Sequence, residues 1–483
     1  MSLPIVIIHG WSDRSASFIP LAQALSLRLK RPVTTISLAD WESTNDQVTY
    51  DDLITRMDLA WTAAGLPRDP HSVDVVVHST GGLVIRDWLL RNFGLPRAAS
   101  LVPGLQTAPT ADNPSAAPTT DTLNPDSATL AAQTSKAGAA MLPPVKHLVM
   151  LAPANFGSPL AHKGSSFIGR VVKGWNPGEM LQVGAQVLKG LELGSTYTWT
   201  LAQADRFGSI NFYAPGNVLA TVLVGNTGYS GIAAAANEPG SDGTVRVSTA
   251  NLNAVYITAD LTDPVNPSYA VKPSAGKAGF RVMDGMNHMT VHDPAQKDVL
   301  DAIVAGLQVD DDGFVAYCKD LDQRTADVLR TREAQSNPYF WGYQNTVFFV
   351  RDQFFRHVTN YFIEFFNDHE SNFLEELFHH KVLQDVHAFS DDNAYRAMLI
   401  DTKTLAQGLQ DPNGDVVKIS LTAEPEFSIN KVGYSTLNDK DIGAVTLSRD
   451  EALSIFQPNR TVFVEIIIRR RQQDGIFAFK ASQ

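Results

Sequence analysis

The sequence predicts an α/β fold, a doubly wound and mostly parallel sheet, followed by a mainly β, sandwich-like domain. Three observations predict it. Apolar strand-like runs at 3–8, 33–38, 73–77, 146–151, 218–225 and 279–283 alternate with amphipathic helical stretches, as parallel βα units require. Beyond about residue 337 the pattern changes to short strand-like segments crowded with aromatic residues. A length of 483 residues suits two or three domains with a large buried core.

The first strand, 3–8, is continuously apolar and ends in His9-Gly10-Trp11. Phe18, Leu21, Leu25 and Leu29 follow at helical spacing, and then the short strand 33–38. Thr49 caps a helix that carries Leu53, Met57, Ala60 and Trp61 on one side. The third strand, 73–77, runs straight into Val77-His78-Ser79-Thr80-Gly81-Gly82, and an amphipathic helix begins at Leu83. Strand, tight serine-bearing turn and helix are the layout of a nucleophile elbow. Such a turn lifts the serine Oγ clear of the sheet and aims backbone N–H groups at an anion formed beside it. Val77 stands where the usual pattern has glycine, so G-x-S-x-G is half met. His9-Gly10 at the first strand end fits the loop that completes an oxyanion hole, which assigns the two donors to the N–H groups of Trp11 and Thr80.

A serine of this kind needs a carboxylate and then a histidine further along the chain. Asp242, within Gly240-Ser241-Asp242-Gly243, follows the strand at 218–225, and the flanking glycines let its carboxylate accept backbone N–H bonds. His288 lies in Asp284-Gly285-Met286-Asn287-His288, just after the strand at 279–283. Asp260, Asp263 and Asp284 compete with Asp242, and His292 competes with His288. A helix bearing Val299, Leu300, Ile303, Val304 and Leu307 closes this α/β-hydrolase domain, placed at 1–309.

Two stretches interrupt the domain. Residues 95–144 are rich in Pro, Ala and Thr and hold no aromatic residue, a composition that reads as a disordered insertion. Residues 160–195, with Phe167, Ile168, Val171, Trp175 and Leu181 broken by glycines, read as a lid over an apolar acyl pocket, with Lys163, Arg170 and Lys173 placed to face lipid phosphate. Residues 310–336 read as a connector, and 337–483 as an aromatic-rich, mainly β domain whose aromatics form its core, a minority lying at a surface. Strands are expected at 395–400, 416–421, 462–468 and 476–479, the last two joined as a hairpin across Asp474-Gly475.

Composition excludes other classes. A net charge of −12 argues against a nucleic-acid partner. The single cysteine, Cys318, excludes an intramolecular disulfide. His357, His369, His379, His380 and His387 lack metal-ligand spacing, so neither a metal nor an organic cofactor is expected. The first strand begins at residue 3 and no apolar stretch is long enough to span a bilayer, so export by a conventional leader is not expected and membrane contact is expected to be peripheral.

The Val-His-Ser-Thr-Gly elbow, the His9-Gly10-Trp11 entry, Ser241-Asp242-Gly243 and Asn287-His288, followed by an aromatic tail, resemble the bacterial PlaB-type phospholipase A/lysophospholipase A family. The resemblance implies a hydrolase domain with a family-specific C-terminal domain. It also implies a cell-associated, membrane-bound bacterial protein that self-associates. Carried over to matching positions, it makes Ser79 the nucleophile, Asp242 the acid and His288 the base of an esterase acting on phospholipids and lysophospholipids. The same residues suit a triacylglycerol lipase, a carboxylesterase or an acyltransferase. An inert membrane or assembly module is the alternative outside enzymes.

Overall fold

The structure, a computed structural model, describes residues 3–10, 15–36, 48–94, 142–161, 185–367, 372–425 and 434–471. The expected insertion at 95–144 therefore lies outside the described residues except at 142–144, and the expected lid lies outside them except at its two ends.

The first sheet has six strands in the order β2 (Val33–Ile36), β1 (Ile5–Ile8), β3 (Val73–His78), β4 (Val145–Leu151), β5 (Leu219–Gly225) and β8 (Gly279–Met283). Every neighbouring pair is parallel. The central strands are predominantly apolar because both faces are covered, β1 (IVII) without a break and β3, β4 and β5 with few polar residues. Val73, Val75 and Val77 pack on one face with Trp61 of α2 (Tyr50–Ala63) and Trp88 of α3 (Gly81–Phe93). Val76 points the other way, toward Phe18, Leu21 of α1 (Ile19–Leu29) and Ile303. Thr49 and Asp52 start α2 with a reciprocal capping box, each side chain accepting the other's backbone N–H. From β1 the chain steps outward to β2 and then returns to the far side of β1 as β3. That reversal opens a crevice beyond the C-terminal ends of β1 and β3, where open α/β sheets bind ligands.

The second half builds two further sheets. One is mixed and six-stranded, ordered β11 (Leu383–Ala388), β12 (Tyr395–Asp401), β9 (Tyr343–Asp352), β15 (Arg460–Ile468), β6 (Val255–Leu261) and β7 (Ser268–Pro273). The other is antiparallel, ordered β10 (Tyr361–Phe366), β13 (Val416–Ala423) and β14 (Val445–Ser448). Alternation along β9 explains how they stack. Phe348 and Val350 join Phe365, Leu421 and Leu447 in a core between these two sheets, the expected sandwich. Val347 and Phe349 face the opposite way, into the core of the first domain. There Trp199 of the helix Thr196–Asp205 lies edge-on to Tyr256, Phe349, Tyr395 and Phe463, with ring centroids 5.2–5.8 Å apart. The six-stranded sheet is thus a middle layer, packed on both sides along its central strands β12, β9 and β15, while its edge strands β7 and β11 are more exposed.

Strands β6 and β7 fall within 1–309, yet β6 pairs in parallel with β15, so this part of the supposed catalytic domain belongs to the second sheet. The reason is β-pairing at long range, which no local pattern records. The connector expected at 310–336, with a polar helical stretch around Leu321 to Glu333, is largely one helix, Phe314–Glu333, packed on the outermost strand β8. Its Thr325 hydroxyl donates to the Phe280 carbonyl at 3.2 Å and accepts the Val282 N–H at 3.1 Å, so it satisfies the open edge of the first sheet. Strand β15 has β9 on one side and β6 on the other, so both its edges are occupied and a hairpin partner along 462–468 has no free edge to join. Residues 476–479 lie outside the described residues. No helix among the described residues is long and apolar enough to cross a membrane.

Candidate active site

Ser79 follows β3 directly and has φ +54°. A non-glycine residue in this left-handed region is strained, and persists only where its surroundings force it. Here the forcing comes from glycines that let three backbones converge. A Cβ on Gly10 would sit 2.9 Å from Ser79 Cβ and 3.0 Å from the His78 carbonyl oxygen. One on Gly81 would meet the Ile8 carbonyl oxygen at 3.0 Å, and one on Gly82 the Pro153 Cβ at 2.8 Å. Val77 is tolerated in place of glycine because the helix start stands clear of it: even a Cβ added at Gly81 would lie 3.6 Å from Val77 Cβ, an ordinary contact. The Gly82 N–H donates to the Ser79 carbonyl at 3.0 Å, and α3 begins.

Asp242 lies in a tight turn. Its N–H donates to the Val245 carbonyl at 3.0 Å, and Gly243 at φ +93° closes the reversal. One carboxylate oxygen, Oδ1, accepts the N–H groups of Thr244 at 2.9 Å and Val245 at 2.7 Å. The other, Oδ2, lies 3.0 Å from His288 Nδ1. His288 sits in the turn after β8, and its own N–H donates to the Asp242 carbonyl at 3.0 Å. Its Nε2 is 3.1 Å from Ser79 Oγ. Asp242 and His288 are wholly buried and Ser79 is nearly so. With the carboxylate ionised, Nδ1 carries the proton and Nε2 is left as the acceptor facing the serine hydroxyl. The three side chains therefore form one hydrogen-bonded chain across 209 residues of sequence.

The competing residues are engaged elsewhere. Asp284 takes Asn226 Nδ2 at 2.8 Å and Arg332 Nε at 2.7 Å. Asp260 caps Thr262, and Asp263 caps a turn through Val265. His292 packs on Phe18, ring centroids 4.6 Å apart. Thr80 is the N-cap of α3 with helical φ and ψ, directly beside Ser79. Trp11, the other expected oxyanion donor, lies outside the described residues.

Several neighbours of this site have no role assigned from the sequence. The buried His78 donates from Nε2 to the His288 carbonyl at 3.0 Å, fixing the loop that presents the imidazole. His9 stacks on Phe18, and His78 lies against both His288 and His292, so four histidines share one compartment. A histidine immediately before the serine of an elbow is the one hint the sequence offered. Among the described residues no cluster of three metal-ligating side chains occurs. His357 instead pairs with Asp392, and His387 pairs with Glu192.

No protein-family model matches the chain, and comparison with curated proteins finds no match. Among solved structures, phospholipase PlaB from Legionella pneumophila superposes with TM-score 0.72 at 22% identity, covering 100% of this chain and 98% of that one. The same protein in complex with thio-NAD gives TM-score 0.73 at 22% identity, covering 99% of this chain and 96% of that one. From end to end, then, this chain has the fold of Legionella PlaB, an α/β-hydrolase sheet joined to a β-rich second half.

Proposed function

We propose that the chain is a serine esterase that hydrolyses acyl esters of glycerophospholipids and lysophospholipids at a membrane surface. The observation that supports this reading is the Ser79–His288–Asp242 hydrogen-bonded chain at the crevice above β1 and β3. The fold shared with a phospholipase supports the substrate class.

In this reading His288 Nε2 takes the Ser79 proton as Oγ attacks the ester carbonyl, and Asp242 holds the ring and stabilises its cation. The N–H groups of Thr80 and Trp11 hold the tetrahedral oxyanion, each contributing on the order of 3 kcal/mol. The imidazolium then protonates the departing alcohol, leaving an acyl-enzyme. Water, deprotonated by His288, releases the fatty acid and restores Ser79. Peripheral membrane contact and self-association belong to the same proposal, on the sequence resemblance alone.

A fluorophosphonate probe tests it directly. The expected result is covalent labelling at Ser79 that Ser79→Ala abolishes, together with loss of phospholipid hydrolysis and an unchanged fold by circular dichroism. Turnover retained by Ser79→Ala would remove the serine from the mechanism. Faster hydrolysis of triglyceride emulsions than of phospholipid micelles would replace the substrate class while keeping the chemistry.

A further inference from the structure

The loop that carries Asp242 is held from the other half of the chain. After the helix Phe314–Glu333, the segment Pro338–Phe340 crosses back over residues 240–242. The Gly240 N–H donates to the Tyr339 carbonyl at 2.8 Å. The Tyr339 hydroxyl donates to the Ser241 carbonyl at 3.1 Å, one residue from the acid, and lies 3.4 Å from Ser241 Oγ. Behind it the Tyr343 ring presses on Gly240, which sits at φ +67°; a Cβ there would meet Tyr343 Cδ2 at 2.5 Å. At the far end of the loop Arg246 reaches Glu238 at 3.0 Å and Asp385 of β11 at 2.6 Å. The loop is therefore tied at both ends to residues beyond 337.

From this geometry we propose that Tyr339 is a positioning residue: it fixes the Ser241 carbonyl and thereby aims the Asp242 carboxylate at His288. The assignment rests on the esterase reading above. The reasoning is mechanical. Asp242 has one side-chain bond to His288, the N–H groups of Thr244 and Val245 hold its other oxygen, and the position of this whole turn depends on how residues 240–242 are anchored. Removing the bond at Ser241 frees that carbonyl to tilt and lets the turn shift, carrying the clamped carboxylate away from Nδ1. Burial raises the Tyr339 hydroxyl to about 12, so it remains a neutral donor throughout the working pH range. A misaligned acid stabilises the imidazolium less well, so the ring keeps its proton less tightly. The groups facing His288 are Asp242, Ser79 and the His78 ring 4.7 Å away; a change at Tyr339 replaces none of them, and of the three only Asp242 is carried by the loop that Tyr339 holds.

Tyr339→Phe removes one oxygen and keeps the ring and both backbone bonds. The expected outcome is a kcat lower on the order of 10-fold with KM unchanged, and an acidic limb of kcat/KM displaced to lower pH. Tyr339→Leu, lacking the ring as well, is expected to fall further in kcat with the same displacement. A wild-type kcat and limb in Tyr339→Phe would overturn the assignment. So would a fall in kcat that tracks a lowered melting temperature while the limb stays in place, since that marks a merely structural role. Ser79→Ala run alongside separates the two readings: if it stays active the esterase reading fails, whereas an inactive Ser79→Ala beside a normal Tyr339→Phe removes only the role of Tyr339.

Discussion

Replacing Asp242 by asparagine is the sharpest test of the acid, because the structure dictates which way the new amide must point. Oδ1 is claimed by two backbone N–H groups, from Thr244 at 2.9 Å and Val245 at 2.7 Å. Those donors hold the amide oxygen of the asparagine and leave its NH2 group facing His288 Nδ1, 3.0 Å away in the wild type. A donor facing Nδ1 forces that nitrogen to become the acceptor, so the ring proton moves to Nε2. Nε2–H then points at Ser79 Oγ and cannot accept its proton. The shape is kept and the base is disabled. The expected loss is about 10⁴-fold in kcat at neutral pH, which corresponds to about 5.4 kcal/mol of transition-state stabilisation. The assay is steady-state hydrolysis of a soluble nitrophenyl ester, with labelling by a fluorophosphonate as a second readout. Asp284→Asn serves as the control, since Asp284 bonds only Asn226 and Arg332 among the described contacts. A loss below 10-fold in Asp242→Asn, or an equal loss in Asp284→Asn, would refute the assignment.

Two further predictions concern how the halves of the molecule are joined. Trp199→Ala removes the ring that four aromatics of the six-stranded sheet surround; the expected cost is about 3–5 kcal/mol in urea unfolding, and a change under about 1 kcal/mol would show that the contact does not hold the halves together. Glu192 is buried against the second half, where it accepts His387 Nε2 at 2.7 Å, the Ser390 N–H at 2.8 Å and the Ser390 hydroxyl at 2.6 Å. Burial pushes its carboxyl up, but these donors outweigh burial and hold it below the usual carboxylate range. Because the folded value is the lower one, the stabilisation is complete above the unfolded value and disappears as pH falls through the folded one. Glu192→Gln is therefore expected to cost about 2 kcal/mol at pH 7 and to match the wild type in acid below the carboxylate range; thermal melts at both ends check it, and a pH-independent difference would contradict the charge argument.

The sequence by itself determined the first sheet and the order of its strands along the chain. Short β-branched runs such as Ile5–Ile8 and Val75-Val76-Val77 read as strands covered on both faces, and the serine turn after the latter marks the crevice end of the sheet. It also singled out Ser79, Asp242 and His288, because each follows a strand within a glycine-bearing turn and those turns end at one rim. What it did not contain was the partner of each strand. Whether 255–261 joins the first sheet or lies beside 460–468 depends on pairing across about 200 residues, and no local period carries that information. For the same reason the aromatics of the second half divided between the sandwich and the junction with Trp199 only once β9 had its neighbours. The neighbours of Ser79, His288 and Asp242 were likewise settled in three dimensions. Tyr339 and Tyr343 reach the acid loop because the helix Phe314–Glu333 docks on the edge of β8 and returns the chain over residues 240–242. Local pattern specifies which elements form and which side chains point out of a turn; long-range packing alone decides which of them meet.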